Sequence, residues 1–170
     1  SECSADYDKN NETTTLFFKM VQNMMHYAVT KQTAAEIIYD RANAERPHMG
    51  LTTWKNAPDG RVIKSDVTIA KNFLSDKEVD SLNLLSSAFI DTAERRAKKH
   101  VLMTMADWKN VLTKFLELND EPILPNAGRV THEQAEEKAL SEYERFRVIQ
   151  DKEILSDFDR HCKSLFNEEL

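Results

Sequence analysis

The stretch SDKEVDSLNLLSSAFIDTAERRAKK, residues 75–99, carries the start, face and end signals of one long α-helix. Ser75 and Glu78 have capping-box spacing, in which each side chain satisfies a free backbone amide at the helix start. Acidic residues lie near its beginning and basic residues near its end, which complements the helix dipole. Apolar residues recur between them at helical spacing: Val79, Leu82, Leu85, Phe89, Ile90, Ala93 and Ala97. The basic end at 95–100 also allows a phosphate or nucleic-acid contact, but the dipole interpretation is favoured.

Similar signals recur on both sides of this stretch. Thr33 with Glu36, and Thr131 with Gln134, also have capping-box spacing. Apolar periodicity predicts further helices over about 14–29, from residue 33 onward, over 66–74, over 104–118 and over 132–168. The last of these is expected to be either unbroken or bent near 150–152, because its apolar stripe changes direction there.

Glycine and proline are rare in this chain and are confined to two short segments. The three glycines and four prolines all lie within 47–60 and 122–128. Long stretches without either residue favour helices over a sheet. The sequence therefore predicts an all-α fold of about six helices in an orthogonal or bundle-like array, with a long C-terminal helix. The Pro58-Asp59-Gly60 turn leaves room for one short hairpin at 51–64.

The domain organisation follows from length and polarity. A chain of 170 residues, 41% hydrophobic, is close to one ordinary domain. We expect a disordered lead-in at 1–12, because that segment is polar and acidic. A helical domain is expected at 13–150, followed by a C-terminal helical extension at 151–170.

Charge and cysteine content narrow the possible partners. The net charge is −6, which disfavours binding to a phosphate backbone, so we expect no tight DNA binding. No apolar run approaches the length of a membrane span, so no membrane association is predicted. Cys3 and Cys162 lie near opposite ends, which is typical of a reducing compartment and predicts a cytoplasmic protein.

The sequence contains no phosphate loop, dinucleotide fingerprint, zinc-protease motif or nucleophile elbow. Its five histidines lack metal-ligand spacing, so neither a metal nor a cofactor is predicted. One constellation at 26–55 combines groups suited to acid–base work or anion binding. Its candidate catalytic residues are His26, Glu36, Arg41, His48 and Lys55, and its candidate ligand-binding residues are Tyr39 and Trp54. The alternative is that Arg41 pairs with a core carboxylate and the histidines are solvated.

Arg41 itself supports that alternative. On the helical wheel it lies between Ile37 and Ile38, within the apolar stripe. A buried guanidinium without a partner would be costly. Glu36 and Asp40 lie on the wrong side of the same helix, so we expect a carboxylate from another element to pair with Arg41.

Four segments together resemble one known family. They are VQNMMHYAVTKQTAAEIIYDRANAERPHMGLTTWK, DVTIAKNFLSDKEVDSLN, MADWKNVLTKFLELND and HEQAEEKALSEYERFR, which occur in this order within about 14–148. This part of the chain closely resembles the C-terminal region of the RhuM family of bacterial virulence proteins. The resemblance implies a bacterial cytoplasmic protein, sometimes encoded in a pathogenicity island. Members usually carry a helix-turn-helix-like N-terminal region, and some relatives are joined to a Fic-type domain. The resemblance carries over no catalytic residue.

Two functional hypotheses follow. The first is a helical interaction or regulatory module of a RhuM-like virulence-associated protein. The alternative is an enzyme or ligand-binding domain that acts on a phosphate-containing substrate through the 26–55 cluster. The partners expected for the module are a protein and a second copy of the chain, bound through the C-terminal helix. Its stripe is Ile154, Phe158, Cys162 and Leu165.

Overall fold

The computed structural model describes residues 12–167, apart from the side chains of residue 13 and of 154–167. Within this range the chain is helical and has no β-strand, which confirms the all-α prediction. Residues 12–167 contain five α-helices and two short 3-10 helices. The α-helices are α1 (Glu12–Thr30), α2 (Ala34–Arg41), α3 (Asp76–Lys98), α4 (Met105–Leu118) and α5 (His132–Asn167), and the 3-10 helices are Pro47–Gly50 and Ala70–Phe73.

Capping side chains fix four of the helix starts. Complete capping boxes open α2 at Thr33 and α3 at Ser75, as the spacing predicts. At the start of α5, the Gln134 amide donates to the Thr131 hydroxyl and the Thr131 amide donates to Gln134 Oε1. A fourth box opens α4 at Thr104, whose amide donates to the Asp107 carboxylate over 2.9 Å. Sequence reasoning missed this box because aspartate replaces the usual glutamate or glutamine.

The prediction of an α-helix over 66–74 is wrong. This segment forms turns and then the short 3-10 helix Ala70–Phe73. The cause is Asp66, which is buried and accepts hydrogen bonds from the amides of Lys55 (3.1 Å) and Ile63 (2.9 Å). Its own carbonyl accepts from the Asn72 side chain and from the Ile69 amide three positions on, which is the spacing of a turn and not of an α-helix. Four apolar residues of the segment are nevertheless buried: Val67, Ala70, Phe73 and Leu74.

The segment 51–64 does not form the short hairpin that the sequence allows. Its polar backbone groups bond elsewhere. The Val62 amide and carbonyl both bond to the side-chain amide of Gln150 on α5, and the Thr52 amide donates to the Asn72 carbonyl. Trp54 packs inward, and its indole N–H donates to the Gly60 carbonyl over 2.7 Å. The loop therefore packs onto the core and is hydrogen-bonded to α5.

Among the side chains that the structure describes, two clusters of buried residues make up the core. The first combines α2, the loops at 42–74 and the first half of α5, and contains Ile37, Ile38, Met49, Trp54, Phe73, Ala135, Ala139 and Tyr143, among others. The second lies between α1, α3 and α4 and contains Met24, Met25, Ala28, Leu85, Leu112 and Leu116. Leu82 of α3 packs against both clusters, so α3 links them.

The last helix, α5, is one helix of 36 residues. Its first half packs on α2, where Ala135, Ala139, Tyr143 and Phe146 are buried. The predicted stripe Ile154, Phe158, Cys162 and Leu165 lies outside the side chains that the structure describes, and so does most of the predicted lead-in at 1–12.

Candidate functional site

Arg41, a member of the predicted 26–55 cluster, is fixed in place by three hydrogen bonds from its guanidinium. Its Nη1 and Nη2 donate to the two carboxylate oxygens of Glu78 over 2.7 and 2.8 Å. Nη1 also donates to the Phe73 carbonyl over 2.9 Å. The hydrogen bond from Arg41 is the main cause that lowers the pKa of Glu78 to about 2. Glu78 belongs to α3, which confirms that the partner of Arg41 comes from another element; the pair is half-buried, with 24% and 23% of the side chains exposed.

Glu36 is buried at the start of α2, and its contacts also have a structural role. One carboxylate oxygen accepts from the Thr33 amide over 2.8 Å, and the other accepts from the Arg129 amide over 2.9 Å. Burial acts to raise the pKa of Glu36, but the hydrogen bonds from Arg129 and Thr33 outweigh it and lower the pKa. Glu36 is therefore an ionised cap that ties the loop before α5 to α2.

His26, by contrast, lacks a fixed partner. It lies on α1 with 3% of its surface exposed. Among the side chains that the structure describes, its Nδ1 is the one buried nitrogen or oxygen without a hydrogen bond. Burial is the main cause that lowers the pKa of His26, and the positive charge of Lys71 lowers it further. The imidazole is therefore neutral at neutral pH.

The remaining candidates lie nearer the surface. His48 is exposed and stacks on Trp54, with 4.4 Å between the ring centroids. Lys55 is also exposed. Lys138 of α5 donates to the Tyr39 carbonyl over 2.6 Å, and its ammonium lies 4.6 Å from the centre of the Tyr39 ring.

Hydrogen bonds, ion pairs and ring contacts in the described part of the chain join only one pair among the seven candidates, His48 and Trp54. Glu36, Arg41 and Tyr39 are each bound by residues outside the set. These contacts join separate elements of the fold. They engage the Glu36 carboxylate and the Arg41 guanidinium, so neither group is free to bind a ligand.

A separate groove, which the sequence did not predict, lies between α1 and α3 and ends at α4. It comprises two adjoining cavities of about 510 and 430 Å³, which share the walls Phe18, Val21, Phe89 and Ile90. Sequence periodicity places Phe89 and Ile90 on the packing face of α3, yet Ile90 is 56% exposed. The angle at which the helices pack decides which apolar residues stay exposed. Local sequence patterns do not predict that angle.

The arrangement defines a class: an all-α domain whose charged residues cap and join helices around a two-part core. The chain belongs to the RhuM family of virulence proteins, because the family model described as "Virulence protein RhuM family" matches residues 1–154. This match confirms the resemblance carried by the four segments. Comparison with curated proteins returned no match, and comparison with solved structures returned none either. Among the helices of the described part, none is both long and apolar enough to cross a membrane.

Proposed function

We propose that this chain is a helical interaction and regulatory module of a RhuM family virulence protein, and that it works as a homodimer through the second half of α5. The observation that carries the proposal is the length of α5. At 36 residues this helix extends over ~54 Å. A globule of this chain length has an expected diameter on the order of 40 Å.

The first half of α5 is anchored in the core, and the helix continues well beyond this anchor. In the first half, Ala135, Ala139, Tyr143 and Phe146 pack into the core, and Gln150 closes this contact by bonding to Val62. The helix then continues to Asn167. The sequence of this continuation repeats Ile154, Phe158, Cys162 and Leu165 at helical spacing. An exposed apolar stripe of this kind tends to be buried against a partner. The second half of α5 from another copy of the chain is the simplest such partner, because two-fold dimers are the commonest oligomers.

The contacts of the charged candidates support a module rather than an enzyme. Glu36 and Arg41 are the groups best suited to chemistry, and both are engaged in contacts that hold helices together. The alternative, action on a phosphate-containing substrate through the 26–55 cluster, receives less support because Glu78 already occupies the Arg41 guanidinium. The proposed setting is the bacterial cytoplasm. A homodimer would suit the helix-turn-helix-like region of relatives, since two such regions read two half-sites.

The test is the mass of the chain in solution. Light scattering of the intact chain at tens of micromolar is expected to give the dimer mass. Phe158→Glu, on the stripe, is expected to give the monomer mass. Ser156→Glu introduces the same charge on the opposite side of the helix and is expected to leave the dimer intact. A monomer mass for the intact chain would contradict the proposed dimer.

A further inference from the structure

The α1–α3 groove, defined by the shared walls Phe18, Val21, Phe89 and Ile90, is continuous along one face of the second core cluster. At one end it reaches Trp108 of α4. At the other end it reaches His26 of α1 and Lys71 of the 3-10 helix Ala70–Phe73. Along α3 its lining runs from Leu82 to Lys98, which corresponds to ~24 Å of helix. This length is comparable to that of an extended long-chain fatty acid.

The groove is lined by large apolar side chains, some of which are exposed to solvent. Phe18 is 47% exposed and Ile90 is 56% exposed, although both are large and apolar. Phe89 and Trp108 meet edge to face at the α4 end, with 6.4 Å between the ring centroids. Contiguous apolar surface of this kind is characteristic of a binding site.

The two ends of the groove differ in charge. At the α4 end the charged residues are Glu94 and Lys98, whose charges cancel. At the other end the one charged residue is Lys71, which is exposed and forms no ion pair within the described part of the chain. Gln22 and Ser86 also line this end and supply further hydrogen-bonding groups.

His26 adds an independent observation at the same end. It forms part of the wall, it is almost completely buried, and its Nδ1 has no hydrogen-bond partner. A buried polar atom without a partner costs free energy, so a cavity lined by the residue that carries it calls for an explanation. The neutral imidazole can donate one N–H, and a carboxylate can accept it.

We propose that the α1–α3 groove binds a free anionic amphiphile of the fatty-acid class. The carboxylate lies at Lys71 and His26, and the aliphatic tail runs between Phe18 and Ile90 towards Trp108. The anionic head pairs with the unmatched ammonium, and the tail covers the apolar walls. This site goes beyond the proposed dimer, because it uses α1, α3 and α4 and not the second half of α5.

The experiment measures binding of dodecanoate to the full chain by calorimetry, below the critical micelle concentration. We expect saturable binding with one molecule per chain. Decanoate is expected to bind up to about 15-fold more weakly, because each buried methylene contributes up to about fourfold. Dodecyltrimethylammonium, with the same tail and the opposite charge, is expected to bind more weakly than dodecanoate. Equal affinity for the two head groups would overturn the proposed orientation.

Two pairs of variants locate the site. Lys71→Gln is expected to weaken dodecanoate binding by up to about fivefold and to leave dodecanol binding unchanged. Lys77→Gln removes an exposed lysine outside the groove and is expected to change neither. Ile90→Glu places a charge in the path of the tail and is expected to weaken binding by more than tenfold. Leu84→Glu is its control, because Leu84 is 76% exposed on the same helix and does not line the groove.

Several further results would overturn the proposal. The first is the absence of saturable dodecanoate binding, and the second is equal binding by Ile90→Glu and Leu84→Glu. The third is co-sedimentation with phosphatidylglycerol vesicles in place of binding to free dodecanoate, which would assign the groove to a membrane surface. If instead dodecanoate fails to bind and Ile90→Glu lowers the mass of the chain in solution, the groove is a protein contact and the proposal is wrong.

Discussion

Arg41 and Glu78 form a two-pronged ion pair, with N–O distances of 2.7 and 2.8 Å, that joins the end of α2 to the first turn of α3. The same Glu78 carboxylate accepts from the Ser75 amide over 2.8 Å and so completes the capping box of α3. One carboxylate therefore both starts a helix and fixes its position against another. Because α3 links the two core clusters, this pair bears on the relative placement of both.

Removing the guanidinium tests the importance of this pair. We expect Arg41→Met to lower the free energy of unfolding by about 1–3 kcal/mol, since it leaves the half-buried Glu78 carboxylate without its main partner. Arg145→Met is the control, because Arg145 is 60% exposed and its ion pairs are long, at 3.4 and 3.6 Å. Its expected loss is below about 0.5 kcal/mol. Urea denaturation measures both, and equal losses would contradict a special role for Arg41.

The pKa of Glu78 gives this contribution a defined pH dependence. Folding lowers that pKa from 4.5 to about 2, so the stabilisation is fully present above pH 4.5. It is lost progressively as the pH falls from 4.5 towards about 2, because the unfolded chain takes up the proton in this range while the folded carboxylate stays ionised, and below about 2 both states are protonated. We therefore expect the difference in unfolding free energy between the wild type and Glu78→Gln to shrink below pH 4.5.

Glu78→Gln is suitable for this comparison because glutamine keeps the capping-box geometry. Subtracting the two unfolding curves also cancels the other carboxylates with lowered pKa values, such as Glu36. A difference that stays constant from neutral pH down to pH 3 would show that the charge of Glu78 does not stabilise the fold.

Local signals in the sequence predicted most of the helices, because a capping box acts within one turn. Thr33, Ser75 and Thr131 could be recognised in this way. The segment 66–74 could not, because its turns depend on a hydrogen bond from the Lys55 amide to the Asp66 carboxylate, 11 positions away. The wheel position of Arg41 predicted a partner on another element, but not which one, since Glu78 lies 37 positions away. The α1–α3 groove depends on how three helices pack and has no signature in the sequence.

Gly128 offers a test of the loop that leads into α5. Its φ angle is +90°, which side chains rarely adopt, and an added Cβ would lie 2.9 Å from Thr33 Cγ2. We expect Gly128→Ala to lower the free energy of unfolding by about 1–2 kcal/mol, because it strains the backbone and displaces the cap of α2. Ala127→Ser, at the exposed neighbouring position, is expected to change it little. Thermal denaturation compares the two, and an unchanged Gly128→Ala would contradict the close packing against Thr33.

The charge of the chain predicts weak binding to nucleic acid. The net charge is −6, and the basic residues at the end of α3 complement the dipole of that helix. We expect no sub-micromolar affinity for duplex DNA at physiological salt. Fluorescence anisotropy with a labelled duplex at two salt concentrations measures this. Tight binding that weakens steeply with salt, and that Arg95→Gln together with Arg96→Gln abolishes, would instead assign a DNA contact to this helix end.

The proposed dimer predicts a link between stability and concentration. If two chains associate through the second half of α5 only when folded, unfolding includes dissociation, and mass action opposes it more strongly at higher concentration. A roughly hundredfold increase in concentration is then expected to raise the melting temperature of the wild type by several degrees. Phe158→Glu is expected to remove this dependence and Ser156→Glu to retain it, because only the first lies on the stripe Ile154, Phe158, Cys162 and Leu165. Differential scanning calorimetry measures the effect directly. A wild-type melting temperature that does not change with concentration would contradict association coupled to folding, and a dependence that survives in Phe158→Glu would place the contact elsewhere on the chain.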